Sequence, residues 1–465
     1  MTNRTTNLDA ILAHVDAHLD ESVERLKTLV AIKSISTDPA YAGEVKKAAE
    51  WLAADLSGLG FDASVRPTPG HPMVVGKDHA AAGPHVLFYA HYDVQPVDPL
   101  NLWHTDPFTA TLVKLPDGDT QIVGRGTSDD KGQLLTFVEA CRAWKAVHGA
   151  LPLKITLFFE GEEESGGKSM PAFLEANKAE LGAAEIALVC DTGLWDANTP
   201  AVVTMLRGLV GEELTITCAS HDLHSGMYGN AARNPIQVLA EIIASLRNPD
   251  GSVAIEGFYD DVAELPAEIA ALWKRLPFDE QAFMAGAGLT TPAGEEGRSV
   301  LEQTRARPTC EINGITGGYT GDGFKTVIPA KASAKISFRM VSGMKPDKIR
   351  AAFRAHVLAR LPSDAKASFK EHGNSPAVTV PSDGPFLRKA VKALGDEWSN
   401  EAAIIGSGGS IPVAGEFKHI LGLDTLLIGF ARDDDRIHSP NEKYNLSSFH
   451  KGIRSWVRIL AAFAA

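Results

Sequence analysis

Cysteine is scarce. The chain has four in 465 residues, Cys141, Cys190, Cys218 and Cys310, without the paired spacing of a zinc knuckle or the density of a disulfide scaffold, so buried reduced thiols are expected. Positive charge is also in deficit: Lys and Arg total 45 against 58 Asp and Glu, a net charge of −13. Such a balance repels phosphate backbones and anionic lipid, which argues against nucleic acid or a membrane as partner. No apolar run is long enough to span a bilayer, and the N-terminus lacks the basic region, apolar core and cleavage site of a secretory leader, so a cytoplasmic protein is expected. Internal repeats and low-complexity segments are absent. The Gly-rich runs 314–323 and 406–410 have neither Walker spacing nor a dinucleotide fingerprint.

What is present supports two domains with sizeable cores, given the length and a hydrophobic content of 44%. Leu8, Ile11, Leu12, Val15, Leu19, Val23, Leu26 and Val30 recur at helical spacing, which predicts one amphipathic helix across the first thirty residues. Apolar, β-branched runs at 85–90, 121–126, 155–159, 186–190 and 425–430 read as strands, and helical patterns between and after them indicate an α/β layer. From residue 207 the texture changes to alternation. Ala332, Ala334, Ile336, Phe338 and Met340 take one strand face, and Ser333, Lys335, Ser337 and Arg339 take the exposed one. The α/β pattern resumes past Pro385. The expected organisation is a discontinuous α/β domain, 1–206 and 381–465, interrupted by an α+β domain, 207–380. Residues 252–305 are polar and carry little signal.

The strand ends carry the chemistry. His91 and Asp93 follow the run at 85–90, and Asp129 follows the run at 121–126. Glu160, Glu162, Glu163 and Glu164 follow 155–159, Asp191 follows 186–190, and His438 comes a short loop after 425–430. Ligands in open α/β sheets gather at the carboxyl edge of the strands. A charge run is usually a solvated loop. Two imidazoles and several carboxylates converging on one crevice, however, are costly to desolvate unless a cation sits among them. Nitrogen and oxygen donors without thiolate suit zinc, with manganese or cobalt as substitutes. A census of two His and three acids fits two ions if one carboxylate bridges them.

Five segments, in order along nearly the whole chain, carry a resemblance. They are 90–96 (Ala-His-Tyr-Asp-Val-Gln-Pro), 124–132 (Gly-Arg-Gly-Thr-Ser-Asp-Asp-Lys-Gly), 160–166 (Glu-Gly-Glu-Glu-Glu-Ser-Gly), 222–226 (Asp-Leu-His-Ser-Gly) and 437–442 (Ile-His-Ser-Pro-Asn-Glu). Together they resemble the motifs of the co-catalytic dinuclear zinc metallopeptidases. That superfamily includes carnosinase-type dipeptidases, aminoacylases, glutamate carboxypeptidase and succinyl-diaminopimelate desuccinylases, and the dipeptidases are the nearest in motif.

The resemblance implies an α/β zinc-peptidase catalytic domain, a mixed twisted sheet between helices, with an inserted α+β lid and dimerisation domain. It implies two zinc ions per subunit bridged by Asp129, with His91 and Asp191 completing one site and Glu164 and His438 the other. Asp93 would orient His91, Glu163 would be the general base, and the Asp129–Asp130 peptide would be cis. His224 would reach the partner subunit's active site in a homodimer and stabilise an oxyanion, and Arg339 would grip the substrate carboxylate. The Gly-rich loops, Gly409 and Ser410 included, would approach substrate through backbone amides. Two departures stand out: Gly406-Ser407 where Arg-Glu commonly precedes the Gly-Gly-Ser-Ile-Pro pattern, and Ala90 where Gly is commoner. The implied activity is hydrolysis of dipeptides or short peptides with a free C-terminal carboxylate by metal-activated water. An N-acyl-amino-acid deacylase or small carboxypeptidase is the alternative, and a metal-dependent binding protein with a dead site is the reading outside enzymes.

Overall fold

The structure, a computed structural model, describes residues 7–409 and 411–465. The chain forms two compact units. The first comprises Met1–Thr204, Val380–Ile404 and Glu416–Ala465, and the second Met205–Thr379 and Ile405–Gly415. The sequence pattern places all of 381–465 in the first. Segment Ile405–Gly415 instead belongs with the second, where Arg305 Nη1 donates to the Gly406 carbonyl at 2.7 Å and Arg207 Nε to that of Gly408 at 3.0 Å.

In the first unit the central sheet runs Asp62–Arg66, Met73–Asp78, Lys154–Glu160, His85–His91, Ile186–Val189, Thr425–Leu427, Ala201–Leu206. It is mixed, as expected. His85–His91 lies parallel to both Lys154–Glu160 and Ile186–Val189, and Thr425–Leu427 lies parallel to Ile186–Val189, while the outer pairings are antiparallel. These four parallel strands therefore end at one edge.

Every residue of His85–His91 is buried because both sheet faces are covered. On one face Phe88 stacks on Phe137 of helix Lys131–His148 at 3.8 Å between ring centroids and meets Trp456 of helix Leu446–Ala464 edge-on at 5.6 Å. On the other, Tyr89 packs edge-on against Phe158 and Phe417. Trp456 also contacts Phe137 and Phe430, and its indole N–H donates to Thr136 Oγ1 at 3.0 Å.

The N-terminal segment differs from the single helix expected. It forms two, Leu8–Ala17 and Leu19–Val30, broken at His18. There the backbone leaves helical geometry at φ −117°, and the ring Nδ1 lies 2.8 Å from the His14 carbonyl, a side-chain bond that competes with the helix ladder.

The second unit is an antiparallel sheet, Thr309–Gly317, Lys331–Met340, Gly208–Thr217, Lys366–Ser375. Helices Pro235–Ala244 and Pro346–Arg360 contribute to the core on one face, with Ala332, Ala334, Ile336, Phe338 and Met340 buried among them. The alternation read from the sequence is realised. Segment 252–305, silent in sequence, holds the short helices Ala267–Trp273, Glu280–Gly286 and Val300–Arg305, the last with a Ser299/Glu302 capping box.

Removing the indole at the centre of the first core should be costly. Trp456→Ala is expected to destabilise the first unit by about 3–5 kcal/mol, read as a drop in the denaturant midpoint of its unfolding transition.

Candidate metal centre

The four parallel strand ends and one loop deliver the site. His91 is the last residue of its strand, Asp93 follows two positions on, and Asp191 lies two beyond Val189. Glu163 and Glu164 occupy a single 3-10 turn, Glu163–Ser165, just past strand Lys154–Glu160. Asp129 precedes helix Lys131–His148, and its peptide bond to Asp130 is cis, as expected. His438 sits in the loop after Thr425–Leu427 at φ 61°, with Arg436 and Asn441 also in the left-handed region. That is uncommon for residues with a Cβ and typical of loops held for function.

These side chains form two groups. His91, Asp129 and Asp191 bring ligand atoms within 4.8 Å of one another, and so do Asp129, Glu164 and His438. Asp129 is common to both and divides its oxygens: His91 Nε2 lies 2.9 Å from Oδ1, and His438 Nε2 lies 2.9 Å from Oδ2 and 3.1 Å from Glu164 Oε2.

Burial pushes the Asp191 carboxyl well above the usual carboxylate range, opposed by His91 and reinforced by Asp129, Glu163 and Glu164. Burial also disfavours the His91 cation, yet hydrogen bonds to Asp129 and Asp93 outweigh it and raise that imidazole well above its ordinary value. Hydrogen bonds to Asp129 and Glu164 raise His438 to about 10. Imidazoles charged by their neighbours and a carboxyl neutralised by its own mark a site whose charge balance suits a cation. The donor set, nitrogen and carboxylate oxygen with one shared carboxylate, fits two divalent ions.

The surrounding hydrogen bonds fix these groups. Fully buried Asp93 accepts from Ser36 Oγ at 2.5 Å and from the Glu164 N–H at 3.0 Å through Oδ2. His91 Nδ1 is 3.1 Å from the Asp93 carbonyl oxygen and 3.4 Å from its Oδ1, so the ring is oriented by backbone at least as much as by the carboxylate expected to do it. Gln95 Nε2 donates to Glu164 Oε2 at 2.7 Å. Glu442, absent from the expected site, anchors the Asp129 loop. It accepts from Arg125 Nη1 at 2.6 Å, from Gly126 N–H at 3.1 Å, and from the N–H groups of Ser128 and Asp129 at 3.0 Å each.

Two glutamates without a sequence-based role now have places. Glu160 accepts from the Tyr89 hydroxyl at 2.6 Å, and burial keeps its carboxyl well above the usual range. Glu162 accepts the N–H of His71 at 2.9 Å and of Ser169 at 3.0 Å, and His71 Nε2 reaches the Ser36 carbonyl at 2.9 Å. A brace thus runs Glu162–His71–Ser36–Asp93–Glu164. Gly70 is required beside it, because a Cβ there would lie 1.4 Å from Glu162 Oε1. Glu442 stands in a quoted motif and was within reach of sequence reasoning. Gln95 likewise stands in a quoted motif, whereas Ser36 and His71 lie in none.

His91, Asp93, Asp129, Glu163, Glu164, Asp191 and His438 all belong to the first unit; His224, Arg339 and Gly409 belong to the second. His224 is exposed and accepts the Gly226 N–H at 3.0 Å through Nδ1. Arg339 is half-buried in strand Lys331–Met340, and Gly409 is exposed with its N–H donating to Ser407 Oγ at 3.3 Å. Ser410 lies outside the described residues.

A sheet that delivers two imidazoles and three carboxylates to one edge defines a metal-dependent hydrolase. The sequence pattern of Peptidase family M20/M25/M40 matches residues 87–462, and the chain belongs to this family. It is 31% identical over 464 residues to the Cys-Gly metallodipeptidase dug1 of Schizosaccharomyces pombe, covering 96% of both chains. It is 28% identical to the Beta-Ala-His dipeptidase of Homo sapiens, covering 98% of this chain and 92% of that one. Among solved structures, an M20 family metallo-carboxypeptidase from Sulfolobus solfataricus matches with a TM-score of 0.82 at 30% identity, over 96% of this chain and 99% of that one. The chain is accordingly a metal-dependent peptidase with a catalytic-plus-lid fold.

Glu442→Ala strands Arg125, which is 1% exposed, without its carboxylate partner. A loss of about 3–5 kcal/mol is expected, together with metal retention weakened by about 10–100-fold as the Asp129 loop loosens. Denaturant titration and metal content after dialysis read the two effects.

Proposed function

We propose that the chain hydrolyses dipeptides bearing a free C-terminal carboxylate, using two divalent cations, zinc by preference with manganese or cobalt as substitutes. The observation that carries this is the division of the Asp129 carboxylate between two ligand groups. One ion would be held by His91, Asp129 and Asp191, the other by Asp129, Glu164 and His438. Bound there, such cations supply Lewis acidity, making water a nucleophile near neutral pH and polarising a carbonyl oxygen.

The remaining steps fall to side chains of this chain. Burial lifts the Glu163 carboxyl to about 7, opposed by His91 and reinforced by Glu164, Asp93 and Asp129, so it can take a proton from water and return it to the leaving amine near neutrality. Asp93 and the His91 imidazole hold their geometry through Ser36 and the Glu164 amide. In the second unit, Arg339 offers a guanidinium shaped for a carboxylate, and backbone amides near Gly409 and Ser410 approach the substrate. The ring of His224 serves the site of a second copy in a homodimer, and its Nε2 has no partner among the described residues.

Dipeptidase names among relatives that span almost the whole chain support the substrate class. The Sulfolobus carboxypeptidase favours a second reading, removal of a C-terminal residue from longer peptides. We place the protein in the cytoplasm. Its cysteines are all free, as a reducing compartment allows, and among the described residues no helix is long and apolar enough to cross a membrane.

Glu163→Gln is expected to fold, to retain two metal equivalents, and to lose about 10²–10⁴ of kcat; near-normal turnover would remove Glu163 from the role of base. A panel of dipeptides, longer peptides and N-acyl amino acids, assayed with metal analysis, separates the readings, and binding without any hydrolysis would favour a dead site. If His224 acts across a dimer, specific activity should fall on dilution in step with dissociation followed by light scattering. Full activity in the monomer would contradict that role.

A further inference from the structure

The two ligand groups of the first unit are braced from different places. His91 ends a strand buried along its whole length and Asp191 follows another, whereas His438 stands on a loop with its side chain 52% exposed. Asp435 closes the base of that loop: its carbonyl accepts the Lys443 N–H at 3.0 Å, and its Oδ2 accepts the Ser128 hydroxyl at 2.8 Å. Between Arg436 and Asn441, leaving aside the His438 ring, the hydrogen bonds that tie the loop to another segment among the described residues both belong to the Asn441 amide. Its Oδ1 accepts the His104 N–H at 2.8 Å, and its Nδ2 donates to the Leu102 carbonyl at 2.9 Å, across 337 and 339 positions of chain. Asparagine also suits the φ of 64° found there. Backbone geometry alone, however, does not call for a side chain that grips a distant segment with both ends.

That distant segment, 95–104, also holds Glu164. It begins just after the bridge between Ile35 and Val94, and Gln95 Nε2 donates to Glu164 Oε2 at 2.7 Å. The Pro96 carbonyl accepts from Arg125 Nη2 at 2.9 Å. The Trp103 indole N–H donates to the Val97 carbonyl at 2.8 Å and closes the segment on itself, with the ring 5.5 Å from the Arg125 guanidinium. Residues 98–102 between these anchors are exposed. Glu164 and His438, the two ligands found only in the second group, therefore lean on the two ends of one loop. The bonds of His91 run instead to Asp93, Asp129 and Asp130, and among the described residues no hydrogen bond from 95–104 reaches His91 or Asp191.

We propose that segment 95–104 is a clasp for one metal ion only, with Gln95 and Asn441 as positioning residues. It sets how tightly Asp129, Glu164 and His438 hold their ion and leaves the group of His91, Asp129 and Asp191 unaffected. The inference rests on the two-ion reading above and concerns the regulation of that same site. Groups that orient a ligand from behind tune the affinity of its ion. Here the supports of the two ions are separate, so one can be loosened without the other. Occupancy of the second group then follows the free cation concentration, while the first group stays filled.

The metal-loaded full chain, equilibrated with graded zinc–chelator buffers and analysed for retained zinc, reads the two equivalents separately. His438→Ala deletes a ligand of the second group and so marks which equivalent belongs to it. Asn441→Gly removes the amide without straining the left-handed backbone. Gln95→Met removes the donor at the other end of the clasp and carries the test should the glycine variant not fold. Each is expected to weaken the His438 equivalent by about 10–100-fold and to leave the other within about twofold. Equal weakening of both equivalents, the mark of a merely structural role, overturns the inference and leaves the two-ion reading standing. Unchanged affinity of the His438 equivalent in either folded variant does the same. A wild type that retains one equivalent or none at saturating zinc overturns both.

Discussion

Carboxylates crowded at the end of a buried sheet set the terms for the first unit. Two like charges about 4 Å apart at an effective dielectric constant near 20 repel by about 4 kcal/mol, and the carboxylates of Asp129 and Glu164 lie close enough to raise the proton affinity of both Asp191 and Glu163. Beyond the imidazoles of His91 and His438, the basic side chains flanking Asp129 in sequence do not answer this charge. The nearest lysine in sequence, Lys131, is turned away, its amine donating to the carbonyls of Leu29 and Ile32, with burial pulling it down to about 7. Arg125 is spent on Glu442. What supports the ligands is neutral: the Ser36 hydroxyl, the Gln95 amide and backbone N–H groups. Such donors fix positions without cancelling charge, which leaves that task to divalent ions.

The same logic explains why the site lies where it does. Parallel strands place several chain exits at one edge, and helices on the faces keep the strands straight and dry up to the last residue. His91 is still in the ladder, opposite Glu160, so its ring starts from a rigid backbone. His438 is the exception, exposed and on a loop in left-handed geometry. The two ligand groups therefore differ. The one with His91 is the more buried, and the one with His438 is open on its imidazole side.

Legibility in the sequence follows interaction range. Strand ends bearing His, Asp and Glu could be read because apolar runs locate the strands and the acidic residues follow within a few positions. The faces of Lys331–Met340 could be read because period-two alternation is local. The break at His18 escaped notice because the apolar periodicity continues through it, while a single ring-to-carbonyl bond ends the first helix. The brace through Ser36 and His71 joins residues 35 to 91 positions apart, and no local pattern announces such a bond. Segment 405–415 joins the second unit through partners, Arg207 and Arg305, that are about a hundred or more residues away, so no local pattern marks it either.

The acidic stretch from Glu160 to Glu164 shows how identical side chains come to differ. Glu160 accepts a tyrosine hydroxyl, Glu162 accepts two backbone amides, and Glu164 accepts from Gln95 and faces His438. Glu163 accepts no hydrogen bond from the described residues, and burial raises its proton affinity into the neutral range. Of the four glutamates, Glu163 is the one held near neutrality in the 3-10 turn, directly beside Glu164, which belongs to the candidate ligand group with Asp129 and His438. The proposed base and the candidate ligand are thereby neighbours in space, a one-residue step along a tight turn separating two otherwise equivalent groups.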